Sequence, residues 1–295
     1  MKKSELNASQ LSLLANYIGW QHKNRGRYIS AVKFRRVALQ FAEGTEDRIL
    51  ITQSQSNLAL TLQAVGGTDH LDEARRLLMQ ALEVEVKNIG HAHPLVAVTR
   101  SNLATVLNDL GGKENLLTAQ ELLEEAIESF LQAYDEEHHL VAVSRSNLAN
   151  ILQDLGGEQN LKKAHDMYKQ ALESHLRTYD HENPTIANAR SNFAMLLKDI
   201  GGVHNLQEAR KQLRLALTAQ LTVYPKEHPS IAISRANLAA VLHDIGGLEN
   251  LKEAEAEITT ALDISDKISG RQHKDTNTMR HSLAVIQQAL KNLKP

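Results

Sequence analysis

The apolar positions of the chain recur at intervals of three and four residues, which is the spacing of one buried helix face. The clearest stripe lies between residues 95 and 110, and a second follows between residues 116 and 134. The first stripe contains Leu95, Val96, Val98, Leu103, Ala104, Val106, Leu107 and Leu110, and the second contains Leu116, Ala119, Leu123, Ala126, Phe130 and Tyr134. Gly111 and Gly112 separate them, and glycine favours a helix end. The pattern therefore predicts a helical hairpin.

This hairpin recurs along the chain with a period of 45 residues. The tetrapeptide Ser-Asn-Leu-Ala begins at Ser56, Ser101 and Ser146, and related tetrapeptides begin at Ser191, Ala236 and His281. The glycine pair recurs in the same register, at Gly66-Gly67, Gly111-Gly112, Gly156-Gly157, Gly201-Gly202 and Gly246-Gly247. An unbroken period of this length is typical of a repeat array, in which each hairpin buries its apolar face against its neighbours.

We therefore predict an all-α fold, a right-handed α-solenoid of about six helix hairpins followed by a C-terminal capping helix. The predicted units are 11–45, 46–90, 91–135, 136–180, 181–225 and 226–270. Residues 1–10 are expected to be frayed, and residues 271–295 are expected to form the capping helix.

The turn between the first helix of a unit (helix A) and the second (helix B) is predicted from its glycines. Gly111 is expected to adopt the left-handed αL conformation at the end of helix A. An asparagine follows at one register, and we expect it to cap helix B: Asn115, Asn160, Asn205 and Asn250.

The turn from helix B to the next helix A carries a proline in three units, namely Pro94, Pro184 and Pro229. Proline suits the first turn of a helix, where its missing N–H is no loss. Small residues at fixed positions predict close helix crossings, as at Ala104, Ala119 and Ala126.

Composition narrows the function. The chain has no cysteine, which excludes disulfides, thiolate metal sites and a cysteine nucleophile. Its formal net charge of −2 provides no strong basic field for nucleic acid. The start of the chain lacks the apolar core of a signal peptide, and no apolar run is long enough to span a membrane. We expect a cytoplasmic protein, with delivery into the cytosol of another cell left open.

The motif Leu103-Ala104-x-x-Leu107, followed by Leu116-x-x-Ala119-x-x-x-Leu123-x-x-Ala126, resembles the tetratricopeptide repeat (TPR). The longer units resemble the repeats of the kinesin light chain family, with Asn-Leu-Ala in helix A and His-Pro before it. These elements are present as Asn102-Leu103-Ala104, His93-Pro94 and His228-Pro229. The resemblance covers residues 11–292. It implies a solenoid whose A helices line a concave groove that binds proteins or peptides.

One asparagine recurs in helix A of five units, at Asn57, Asn102, Asn147, Asn192 and Asn237. In the groove implied by the resemblance, this row would suit a peptide main chain, because an amide offers two donors and two acceptor lone pairs. The alternative is that each asparagine bonds neighbouring backbone and fixes the packing of the hairpin.

Further groove residues are expected one position before, three after and six after each asparagine. They are Ser101, Thr105 and Asn108, then Ser146, Asn150 and Gln153, then Ser191, Met195 and Lys198, then Ala236, Ala240 and His243. These positions vary between units while the packing positions stay fixed, as expected for a graded binding surface. The alternative is an ordinary solvated face.

An arginine precedes the tetrapeptide by one residue, at Arg100, Arg145, Arg190, Arg235 and, by the same register, Arg280. A buried guanidinium needs acceptors, because an unpaired buried charge is costly. We expect a structural ladder between repeats, with partners in adjoining units at Asp109, Asp154, Asp199 and Asp244. The alternative is a role in binding carboxylates.

Histidines cluster in the B–A turns, at His91, His93, His138, His139, His228 and His273. Ligands of one zinc ion lie within about 2.2 Å of it, whereas packed helices are about 8–10 Å apart. Packing at the turns is therefore favoured over a metal site. The sequence contains no phosphate-binding glycine loop and no nucleophile constellation, so neither an enzyme nor a cofactor is predicted.

The prediction for function is a protein-interaction scaffold that binds a peptide or partner helix in the A-helix groove. Tyr17 and Trp20 lie near that face in the first helix, either as a binding anchor or as a cover for the end of the array. The alternative function is a regulatory or sensor solenoid acting in trans on a signalling partner. Nucleic acid binding and membrane insertion are not expected, and self-association is left open.

Overall fold

The computed structural model describes residues 6–268, 270–271 and 274–293, and all regular secondary structure in this part of the chain is α-helical. The helices are α1 (Ala8–Asn24), α2 (Tyr28–Glu43), α3 (Arg48–Val65), α4 (Thr68–Ile89), α5 (Pro94–Leu110), α6 (Lys113–Ala133), α7 (His139–Leu155), α8 (Glu158–Thr178), α9 (Pro184–Ile200), α10 (Val203–Val223), α11 (Pro229–Ile245), α12 (Leu248–Ile268) and α13 (Lys274–Asn292). The described residues form two compact units, one with α1–α6 up to Glu136 and one with α7–α13 from Glu137 onward. The predicted all-α repeat fold is confirmed.

Within each unit the helices pack as A–B hairpins, and each hairpin packs on the next. Alanines occupy the crossings: Ala104, Ala119 and Ala126 are fully buried in the first unit, as predicted. A methyl side chain lets two helix axes approach closely. The larger Leu123, also fully buried, fills the space beside them.

The A–B bend depends on both glycines. Gly111 has φ 68° and ψ −172°, and Gly112 has φ 83° and ψ 142°. A positive φ with an extended ψ is a region that glycine alone visits readily. The predicted αL conformation at Gly111 is therefore wrong in ψ. The equivalent glycine pairs all have positive φ as well.

The asparagine after the bend is not the N-cap that the sequence suggested. Helix α6 begins at Lys113, and Gly112 is its N-cap residue. The Nδ2 of Asn115 instead donates back to the carbonyl oxygen of Gly111 at 2.7 Å. Equivalent bonds of 2.8, 2.8 and 2.7 Å join Asn160 to Gly156, Asn205 to Gly201 and Asn250 to Gly246. The side chain thus locks the bend by satisfying a carbonyl that the end of helix A leaves unpaired.

The B–A turn is closed by a side-chain cap. The Nδ1 atoms of His93, His138 and His228 accept from the backbone N–H two residues later, at 3.1, 3.3 and 3.2 Å. Asn183 does the same with its Oδ1 at 2.9 Å. The prolines predicted for the first helical turn are the first residues of α5, α9 and α11.

Both ends of the described chain are ordered by polar contacts. Helix α1 begins at Ala8, because Asn7 and Gln10 form reciprocal side-chain to backbone bonds of 2.9 and 3.0 Å. The prediction of a frayed segment is therefore wrong for residues 8–10. At the other end, α13 packs on α12 through a buried 2.7 Å bond between Thr276 and Ser265.

Candidate functional site

The asparagine row lies on neighbouring A helices: α3 and α5 in the first unit, and α7, α9 and α11 in the second. Asn192 is exposed, and Asn57, Asn102, Asn147 and Asn237 are half-buried. None of these five side chains forms a hydrogen bond to another described residue. The backbone-bonding alternative therefore lacks support in the described part of the chain, and no other described residue uses the donors and acceptors of these amides.

The residues three positions after these asparagines interact mainly with their own hairpin. The hydroxyl of Thr105 donates to the Asn102 carbonyl at 2.9 Å. The side-chain oxygen of Asn150 accepts from the Tyr168 hydroxyl. Burial raises the pKa of Tyr168, and the nearby Asp154 and Asp199 carboxylates raise it further, so the phenol remains a donor.

Three of the residues six positions after the asparagines, namely Gln63, Gln153 and Lys198, form polar contacts between repeats that sequence reasoning did not identify. The side-chain oxygen of Asn108 is buried and has no hydrogen-bond partner among the described residues. Gln63 donates to Asp109 at 2.7 Å in the first unit. In the second unit Gln153 donates to Asp199 at 2.5 Å, and Lys198 pairs with Asp244 at 3.2 Å. His243 lies 3.2 Å from the same Asp244 carboxylate. The sequence does show an amide, lysine or histidine directly before each of these aspartates. The sequence analysis, however, assigned the aspartates as partners of the arginine row.

The serines one position before the asparagines do not line an exposed face. Ser191 is buried, and its Oγ lies 3.4 Å from Ser234 Oγ on the adjoining A helix. The Oγ of Ser146 is also buried. Ser101 is half-buried. The groove prediction is therefore wrong for Ser146 and Ser191, because this position turns toward the interior.

Arg100, Arg190 and Arg235 bind within their own hairpins, which corrects the predicted ladder between repeats at these positions. Arg280 of α13 instead pairs with Asp266 of α12 at 3.3 Å. Arg100 Nη1 donates to the His91 carbonyl at 2.7 Å, and its Nε pairs with Glu125 at 2.9 Å.

Arg190 donates to Gln212 at 3.2 Å, and Arg235 pairs with Glu257 at 2.5 Å. These acceptors lie on helix B of the same hairpin, whereas Asp109, Asp199 and Asp244 contact Gln63, Gln153 and Lys198. Burial lowers the pKa of Arg190. Arg145 is half-buried at the equivalent position. The partners of Arg100, Arg190 and Arg235 therefore differ from the predicted ones.

Tyr17 and Trp20 remain on the surface of α1. Their side chains are 58% and 48% exposed, and their rings stack with centroids 6.0 Å apart. The Tyr17 hydroxyl accepts from Gln21 at 2.9 Å. This exposure leaves both rings accessible to a partner.

Three of the histidines proposed for the turns serve as helix caps, as described above. No set of three or more metal-ligating side chains converges among the described residues. His273 lies outside the described residues. None of the described helices is long and apolar enough to cross a membrane.

No protein-family model matches the sequence, and no curated protein is significantly similar to it. Solved structures do match. NprR in complex with its cognate peptide NprX is 15% identical, with a TM-score of 0.67 over 99% of this chain and 77% of that one. BtubC (BKLC) from P. vanneervenii is 20% identical, with a TM-score of 0.60 over 92% of this chain and 95% of that one. The chain folds as a TPR-type repeat protein.

A third structure links this TPR-type protein to the repeats that its sequence resembles. It contains the nearly identical TPR-like repeats of a P. anserina protein of the kinesin light chain type. The identity is 22% and the TM-score 0.57, over 76% of this chain and 98% of that one. At these identities the likeness establishes the fold of the TPR-type chain.

Proposed function

We propose that this TPR-type protein is a protein-interaction module whose A-helix faces hold an extended peptide. The observation that carries the proposal is the row of unpaired amides, most clearly Asn147, Asn192 and Asn237 on α7, α9 and α11. A peptide can use these groups without breaking any bond that the fold needs.

The spacing of the row suits an extended main chain. Packed helices lie about 8–10 Å apart, and a strand rises about 3.3 Å per residue. Successive asparagines would therefore meet about every third peptide residue. Because the helices are already packed, little conformational entropy is lost on binding.

A solved neighbour supports this class of ligand. NprR, which shares the fold over nearly all of this chain, was crystallised with its cognate peptide. The polar, mostly uncharged character of the Asn row favours contacts to main-chain groups over recognition of one charged side chain. No catalytic role forms part of the proposal.

The test compares two variants that each replace two amides by carboxylates. Asn147→Asp with Asn192→Asp alters the row, whereas Gln159→Glu with Gln170→Glu makes the same chemical change at exposed positions of α8. Proteins captured by the wild type are identified by mass spectrometry, and their sequences are then synthesised as 15-residue peptides. Their dissociation constants are then measured by fluorescence anisotropy.

We expect the variant with Asn147→Asp and Asn192→Asp to bind these peptides at least tenfold more weakly than the wild type. The α8 variant should bind them with a dissociation constant within twofold of that of the wild type. Both variants should keep the helicity and melting temperature of the wild type. Equal affinities for all three proteins would refute the proposal. The sensor alternative predicts in addition that a bound peptide changes the small-angle scattering radius.

A further inference from the structure

Ion pairs join neighbouring B helices in both units. Arg36 of α2 contacts Glu73 of α4 with two bonds of 2.6 and 2.7 Å. Arg214 of α10 contacts Glu253 of α12 at 2.7 Å. Each pair spans the outer side of the seam between two successive hairpins.

The seam between α4 and α6 lacks this pair. Three 45-residue periods separate Met79 from Arg214 and Thr118 from Glu253, so these two residues occupy the ion-pair positions. Neither can carry a charge, and Met79 is 55% exposed. A cleft of about 920 Å³ opens at this point of the first unit.

The interior of the cleft is aliphatic. Its floor is formed by Leu103 and Leu107 of α5, and its walls by Leu82 and Val86 of α4 and Leu122 of α6. Burying such side chains against a partner is favourable, because it removes apolar surface from water. Methionine adapts its shape to an incoming side chain.

The rim carries charges of both signs. Arg76, Lys87, Glu83 and Glu114 line it, and none of the four has an ion-pair partner among the described residues. Arg75, the remaining cation, pairs with Asp72 at 3.0 Å. An aliphatic anion such as a fatty acid would meet two carboxylates here. A peptide with acidic and basic residues can match the rim.

The dimensions also suit a helical peptide. From Arg75 to Lys87 the α4 wall extends for about 18 Å, or about three helical turns. A helix lying along this wall would direct residues i, i+3 or i+4, and i+7 into the cleft.

We propose that the α4–α6 cleft is a second binding site, separate from the A-helix face, and that it takes an amphipathic helix of a partner protein. The helix inserts aliphatic side chains between Met79 and Leu122 and places charged residues of both signs against the rim.

The test uses a displayed library of 18-residue helical peptides, with randomised apolar or polar residues on one face and randomised charges on its flanks. Peptides are selected on the wild type and measured on two variants. Met79→Arg with Thr118→Glu installs the ion pair of the α10–α12 seam and should close the cleft. Asn102→Asp alters the A-helix face of the same unit and serves as the matched control.

The selected helices should carry aliphatic residues on one face. Their dissociation constants should rise at least tenfold for the cleft variant and stay within twofold for Asn102→Asp. The exposed ion-pair positions make a folded variant the expected outcome, which circular dichroism and melting check. A ¹³C-methyl NMR signal assigned to Met79 through Met79→Leu should shift when a selected peptide binds to the wild type.

Selected helices that bind the cleft variant as well as the wild type, helices without an aliphatic face, or an unshifted Met79 signal would each overturn the proposal. A library without any binder would also overturn it. These outcomes are independent of the Asn147 and Asn192 experiment, so the two sites can fail separately.

Discussion

The two ends of helix A are fixed by different means. At its C-terminal end, Gly111 and Gly112 adopt backbone angles that only glycine reaches easily. At its N-terminal end, a side chain accepts one backbone N–H, and that side chain is histidine in three turns and asparagine in a fourth. A requirement for a backbone angle therefore leaves one residue type, whereas a requirement for an acceptor can be met by several.

The largest expected effect on stability comes from a substitution at the C-terminal end of helix A. Gly111→Ala should destabilise the protein by about 1–3 kcal/mol, because alanine is strained at φ 68° and ψ −172°. No atom lies within 4 Å of the added methyl group, so the loss is conformational.

Gly44→Ala is the matched control, since Gly44 also ends a helix but has φ −75°. It should be neutral or stabilising by less than about 1 kcal/mol. Urea midpoints measure both changes. Equal destabilisation by the two substitutions would show that the positive φ does not explain the glycine pair.

An intermediate effect is expected from two asparagines at the two ends of helix α9, one of which acts as a hydrogen-bond donor and the other as an acceptor. Asn205 uses its N–H₂ group toward the Gly201 carbonyl at 2.8 Å, whereas Asn183 uses its oxygen toward the Thr185 N–H at 2.9 Å. A carboxylate can only accept. Asn205→Asp should therefore cost about 1 kcal/mol, and Asn183→Asp should be neutral or slightly stabilising at a helix N-terminus.

Thermal melting at pH 7 compares these two variants with the wild type. A loss at Asn183→Asp as large as that at Asn205→Asp would contradict the assigned bond directions.

The smallest effect depends on pH. Burial lowers the pKa of His228, whose ring stacks on Tyr224 at 3.9 Å and whose Nδ1 caps α11. The unfolded chain, with a histidine pKa of about 6.5, then takes up the proton first as pH falls. Stability that is present above about pH 6.5 should be lost on acidification.

His228→Asn keeps a capping oxygen and removes the titration. Melting temperatures between pH 7.5 and 5 should fall less for this variant than for the wild type. A residual slope is expected, because burial also lowers the pKa of His139 and His175. If melting temperature fell equally with pH in both proteins, His228 would not contribute to the pH dependence of stability.

Sequence periodicity predicted the hairpins, the bends and the first-turn prolines, because each depends on residues close together in the chain. It failed where the rotation of a helix decides the partner. Arg100 turns toward Glu125 of its own hairpin, whereas Asp109 turns toward Gln63 of the preceding A helix. Asn115 was misassigned because the second glycine moves the helix start to Lys113.

Part of the candidate surface could be predicted and part could not. The asparagine row was identified by its period; Asn192 is exposed, and the other four members are half-buried. The burial of Ser191 depends on contact with Ser234, which lies in the next hairpin. The α4–α6 cleft did have a signal, since Met79 stands where Arg214 and Lys169 carry charge. The missing charge at Met79 could be interpreted only after the structure showed that Thr118 occupies the position of its ion-pair partner.

The glycine bends make the second unit modular. Gly156, Gly201 and Gly246 end their helices with φ of 68°, 75° and 72° and ψ of −174°, −171° and −173°. A segment cut from one bend to the next leaves two ends of matching backbone direction. Excising or duplicating residues 157–201 would shorten or extend this stack by one hairpin without a redesigned junction, so the number of hairpins can change by recombination while the local geometry stays constant.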